Sequence, residues 1–116
     1  MDNIVDGVDM SKLEFLKDMM KDKFAGLANT YGENQESKVL GLRESFESKN
    51  YEESFRLLHG LKGSSASLGA VTVAKNCAEL EEKVSNGQYN IEAADIDNLE
   101  SECKKAIAVI SQFSRK

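Results

Sequence analysis

The stretch NYEESFRLLHGLKGSSASLGA, residues 50–70, carries the decision about the fold. Asn50 can accept from the first backbone N–H groups of a following helix, and Phe55, Leu58, Leu61, Ser65 and Leu68 then recur at the spacing of one inward helical face. Two glycines interrupt an otherwise regular pattern. In a helix interior each costs about 1 kcal/mol relative to alanine, so Gly60 and Gly63 together cost about 2 kcal/mol and require a reason outside helix formation. The Gly69-Ala70 step ends the run.

Working outward, the same periodicity recurs on both sides. Asp9 or Ser11 can cap a short first helix bearing Leu13, Leu16 and Met20 on one face. From Lys23 the positions Phe24, Leu27, Tyr31, Val39, Leu42 and Phe46 stay in phase across the polar stretch Gly32 to Lys38, which predicts one long helix with Gly32 as its weak point. A fourth helix carries Val73, Cys77, Leu80 and Val84 and stops at Asn86-Gly87, where glycine can take a left-handed conformation. The fifth begins near Ile91 and uses Ile96, Leu99, Cys103, Ala106, Ile110 and Phe113. No stretch alternates apolar and polar residues as a half-buried strand would, so no sheet is expected. The fold class is all-α: an antiparallel up-and-down four-helix bundle, with the short additional N-terminal helix laid across one end.

With 116 residues, 41% hydrophobic and 30% charged, the chain fits a single domain over 1–116. Proline is absent, which leaves the helices unbroken except where glycines cluster. A net charge of −5, from 20 acidic and 15 basic residues with no basic run, argues against nucleic acid as a partner. No segment reaches the roughly 20 apolar residues of a bilayer span, and MDNIVDGVDM lacks the basic start and apolar core of a signal peptide, so no membrane contact and a cytoplasmic location are expected. Cys77 and Cys103 fall at helix-interior positions and read as small buried hydrophobes.

The only histidine, His59, lies about 100° round the helix from Leu58 and faces solvent. Gly63 at i+4 and Ala66 at i+7 leave the surface beside its imidazole bare, so a partner backbone can come close. Lys62 at i+3 brings a cation within reach of an anion on the ring and suits a phosphoryl group of charge near −2. Neutral imidazole is a good nucleophile near neutral pH, and its phosphoramidate bond is labile enough to be passed on. Taken together these residues describe a phosphoryl carrier.

The run His59-Gly60-Leu61-Lys62-Gly63-Ser64-Ser65 followed by Leu68-Gly69-Ala70, within this helical layout, resembles the signature of histidine-containing phosphotransfer (HPt) domains of bacterial multistep phosphorelays, and the stand-alone kind more than a domain of a larger kinase. The resemblance implies that His59 is the phosphoacceptor, Lys62 its charge partner, and Gly63 with Ala66 the clearance for a receiver domain. It also implies that a polar residue of the fourth helix lies near the imidazole. Glu81 matches that position and either orients the ring or meets Lys62, and Ser64 is a further candidate beside the phosphoryl group. Gly60 departs from the family, in which a side chain commonly follows the histidine.

Phe15 and Met19 stand off the inward face of the first helix; they either widen the face buried across the bundle end or, as the resemblance supports, form a candidate docking patch for a receiver domain. The expected partners are the receiver domains of a hybrid sensor kinase and a response regulator, which supply the aspartate and the Mg²⁺. No cofactor bound to this chain is expected, and neither is oligomerisation. No GxxxxGK[ST] loop or other nucleotide motif occurs, so the chain should not phosphorylate itself from ATP. Two other readings stand beside the carrier. One is a helical adaptor that docks on a receiver domain without accepting phosphate. The other, a carboxylate-bridged metal bundle, needs Glu-x-x-His pairs, and Arg56 occupies the position three before His59.

Overall fold

A computed structural model describes residues 3–116. Five α-helices follow one another: α1 (Met10–Met20), α2 (Phe24–Glu47), α3 (Tyr51–Ser67), α4 (Val71–Ser85) and α5 (Ala93–Ser114), with a single 3-10 turn over Lys21–Lys23 between the first two. Helices α2 to α5 form the bundle, and α1 lies where α3 and α5 end. Leu13, Phe24, Leu42, Leu58, Leu61, Leu99 and Ile110 are fully buried and form the centre of the core. Gly32 does not interrupt α2. A side chain there would press on Ile107 Cγ2 of α5 at 3.3 Å, so the glycine lets the two helices come together.

The helix ends show why the breaks fall where they do. Asp9 Oδ1 accepts from the N–H groups of Ser11 at 3.1 Å and Lys12 at 3.3 Å, capping α1, and Asn50 Oδ1 accepts from Glu53 N at 3.3 Å, capping α3. Glu92 and Asp95 make a reciprocal capping box at the start of α5, two residues later than its apolar pattern begins. Helices α2, α3 and α4 each close by the same pair of backbone bonds, in which the left-handed residue is Lys49, Gly69 or Gly87.

Two expectations are corrected. Phe55 does not point inward: it is 38% exposed, and fully buried Ser54 takes the core position, its hydroxyl 2.7 Å from that of Ser45 on α2. Two serines there allow a closer approach of α2 to α3 than an aromatic ring would. The second correction is a small antiparallel strand pair, β1 (Ile4–Val5) and β2 (Val8–Asp9), where no strand is expected. Its turn, Asp6-Gly7, has φ of 48° and 80°, the left-handed pair a tight two-residue hairpin needs. Val8 is fully buried and bridges to Ala70, while Asp9 N donates to Gly69 O at 2.8 Å. The hairpin thereby clips the N-terminal segment to the turn between α3 and α4.

An antiparallel ladder sets α2 against α3. Gln35 Nε2 donates to Ser64 Oγ at 2.8 Å, Gly41 faces Leu57 and Ser45 meets Ser54, so each turn forward on α2 is matched by a turn back on α3. Tyr31 adds a bond of 2.9 Å between its hydroxyl and that of Ser65, and burial pushes its phenol well above the usual tyrosine range.

Candidate functional site

His59 occupies the middle of α3 on the side away from the core, and its side chain is 67% exposed. The inward anchors Leu58 and Leu61, both fully buried, fix the rotation of α3 and with it this outward direction. On one flank α4 contributes Glu81, whose side chain is only 14% exposed. One carboxylate oxygen of Glu81 lies 3.3 Å from His59 Nδ1, and the other accepts from Lys62 Nζ at 2.8 Å. A carboxylate can only accept, so in a neutral ring this contact is a hydrogen bond only for the tautomer with its proton on Nδ1, which leaves the lone pair on Nε2. The other end of the ring's environment is apolar: Phe55, one turn earlier, lies nearly parallel to the imidazole with centroids 6.3 Å apart.

Gly63 and Ala66 are exposed one and two turns beyond His59. A Cβ at Gly63 would meet nothing within 4 Å, so packing within this chain does not require the glycine, and the helix loses about 1 kcal/mol by having it. Lys12 of α1 reaches the carbonyl of Ala66 at 3.0 Å and joins α1 to the end of α3. Phe15 and Met19, three and seven residues after Lys12, share its side of α1 and are 62% and 64% exposed. An apolar pair therefore stands beyond the bare strip that begins at His59.

The structure brings His59, Lys62 and Glu81 together and does not bring Ser64 to them. Ser64 donates to the carbonyl of Gly60 at 3.0 Å and accepts from Gln35, and by helical spacing it lies about 140° round α3 from His59. Gln35, within the polar stretch of α2, is fully buried. Its spacing of four from both Tyr31 and Val39 was the signal that it is buried. Arg56, three residues before His59, is bonded to Glu53, with Nε at 3.0 Å from Oε2, and holds that carboxyl below the usual carboxylate range. Among the described residues no three His, Cys, Asp or Glu side chains gather as metal ligands. Burial pushes both Cys77 and Cys103 up to about 12, so neither has the thiolate character of a nucleophile near neutral pH. Among the described residues no helix is long and apolar enough to cross a membrane.

No curated protein sequence matches the chain significantly. The crystal structure of histidine-containing phosphotransfer protein B (HptB) from Pseudomonas aeruginosa PAO1 superposes with a TM-score of 0.88 at 26% identity, covering 94% of this chain and 95% of that one. The family model described as the Hpt domain matches residues 26–112, which span α2 to α5 and hold His59, Lys62 and Glu81. The chain belongs to the Hpt domain family, whose members carry phosphoryl groups on a histidine in phosphorelays.

Proposed function

We propose that His59 is the phosphoacceptor and that Nε2 is the atom that carries the phosphoryl group. The observation that carries this reading is the shared carboxylate of Glu81, which accepts at Nδ1 and binds Lys62 at once. When Nε2 attacks a receiver's aspartyl phosphate, the Nε2–P bond forms as the P–O bond breaks, and the electron pair leaves with the receiver's carboxylate. Positive charge then develops on the ring, and Glu81 beside Nδ1–H stabilises it. Lys62 neutralises part of the phosphoryl charge. Transfer onward reverses the same bonds with a second receiver.

The receiver domains of a hybrid sensor kinase and a response regulator are the proposed partners, and each supplies its own aspartate and Mg²⁺. The bare strip at Gly63 and Ala66, with Phe15 and Met19 beyond it, is the proposed docking face. In this reading residues 1–116 act as one cytoplasmic domain, monomeric and without a cofactor of its own, that takes no phosphoryl group from ATP. Ser64 supports the site from behind, through the carbonyl of Gly60 and the side chain of Gln35.

Incubation with a phosphorylated receiver domain tests the reading. Acid-labile label is expected on the wild-type chain and absent from His59→Gln. Binding of the receiver without any label would replace the carrier by an adaptor.

A further inference from the structure

Three cations lie on or beside the helix face that carries His59, and their engagements differ. Lys62 is bound to Glu81 at 2.8 Å and Arg56 is bound to Glu53. Lys38 of α2, half-buried, makes no ion pair or hydrogen bond among the described residues. Its place follows from the α2–α3 ladder: one turn beyond the Gln35–Ser64 bond on α2 lies Lys38, and one turn back on α3 lies Gly60. A Cβ built on Gly60 would stand 3.1 Å from Lys38 Nζ and 3.6 Å from its Cε. These lysine atoms are the nearest things to the empty side of Gly60, so the glycine that follows His59 gives its space to this ammonium.

The charge balance of the site gives that arrangement a use. Glu81 offsets much of the charge of Lys62, so a phosphoryl group of charge near −2 arriving on a neutral imidazole is only partly neutralised from the α4 flank. Lys38 approaches from the α2 flank, and its flexible four-carbon stem can swing the ammonium outward along the gap at Gly60. We propose that Lys38 is a second cation for the phosphorylated form of His59, opposing Lys62 across the ring, and that Gly60 is the opening through which it reaches the phosphoryl oxygens. This rests on His59 being the phosphoacceptor.

The experiment uses phosphoramidate as the donor, which removes any dependence on a receiver. The P–N bond of the reagent breaks as Nε2–P forms, and ammonia leaves. The ³¹P shift of the phosphohistidine is then followed against pH, because a neighbouring cation favours the dianion and lowers its second ionisation. Lys38→Met should make that ionisation constant about two- to five-fold weaker at low salt, the size expected of one partly exposed charge pair, and the difference should shrink in about 1 M salt. Lys38→Arg should restore the wild-type titration. Gly60→Ala displaces the ammonium without touching Lys38, so it should shift the titration in the same direction while leaving the melting temperature equal or higher.

Superimposable titrations for wild type and Lys38→Met, with His59 labelled in both, would overturn the role of Lys38 and leave the phosphoacceptor in place. Label that persists in His59→Gln would overturn both together.

Discussion

Gly63 offers the sharpest separation between what the fold needs and what a partner needs. Since a Cβ there meets nothing within 4 Å, Gly63→Ala should recover the helix penalty of about 1 kcal/mol. For a chain of this size that is a rise of about 3–5 °C in melting temperature. Gly63→Gln should recover most of the same amount, because its helix propensity is close to alanine's. Neither change alters Glu81, Lys62 or the ring, so labelling of His59 by phosphoramidate should stay within about two-fold of wild type. Receiver docking should respond in the opposite sense. A side chain of glutamine size forced into a packed contact costs on the order of 1–3 kcal/mol, which is about a 5- to 150-fold loss in apparent affinity for the receiver. Thermal melts and transfer from a phosphorylated receiver, measured over a range of receiver concentrations, read the two effects separately. Wild-type transfer by Gly63→Gln would refute the bare strip as the docking face. A fall in melting temperature for Gly63→Ala would refute the claim that the fold has no use for the glycine.

Three further outcomes are expected. Glu81→Ala leaves both ring nitrogens to solvent, so phosphoramidate should give a mixture of Nδ1 and Nε2 phosphohistidine by NMR where the wild type gives Nε2 alone; a single Nε2 product would show that Glu81 does not set the tautomer. Lys49 closes α2 at φ 59°, a conformation that strains an L side chain, and Lys49→Gly should raise the unfolding free energy by about 1 kcal/mol in a denaturant titration. Cys77 and Cys103, raised from 9.0 to about 12, stay protonated in the folded chain while the unfolded chain ionises them, so their contribution to stability is intact below about pH 9 and is lost as pH rises towards 12. Equilibrium unfolding across that range checks the sign, and rapid alkylation of the native protein at pH 8 would contradict it.

The bundle was legible because apolar spacing and end signals agreed at most elements. Asn50, Gly69 and Gly87 stand where the helices begin and end, and Leu58 and Leu61 fix which way His59 faces. What escaped has specific causes. Phe55 is apolar and sits at the edge of the inward stripe, so periodicity alone assigned it to the core; the tight Ser45–Ser54 contact that excludes it depends on α2, which one helix's pattern does not contain. The hairpin at Ile4 to Asp9 did carry its signal, an Asp-Gly pair between apolar residues, but two-residue strands are too short to show alternation. The cluster of His59, Lys62 and Glu81 was readable in part. Lys62 follows from helical geometry, whereas the position of Glu81 was implied by family resemblance, since the register between α3 and α4 is a property of their packing. Lys38 was unreadable for the same reason.

The link between Glu81 and both His59 and Lys62 also bears on the direction in which a signal travels. A carboxylate that steadies the ring during attack steadies it equally when the phosphoryl group departs, because both directions pass through one transition state. On the proposed roles the trio leaves the balance between two receivers unchanged, so exchange is expected to run both ways, with net flow set by which receivers hold more phosphoryl and how fast each loses it to water.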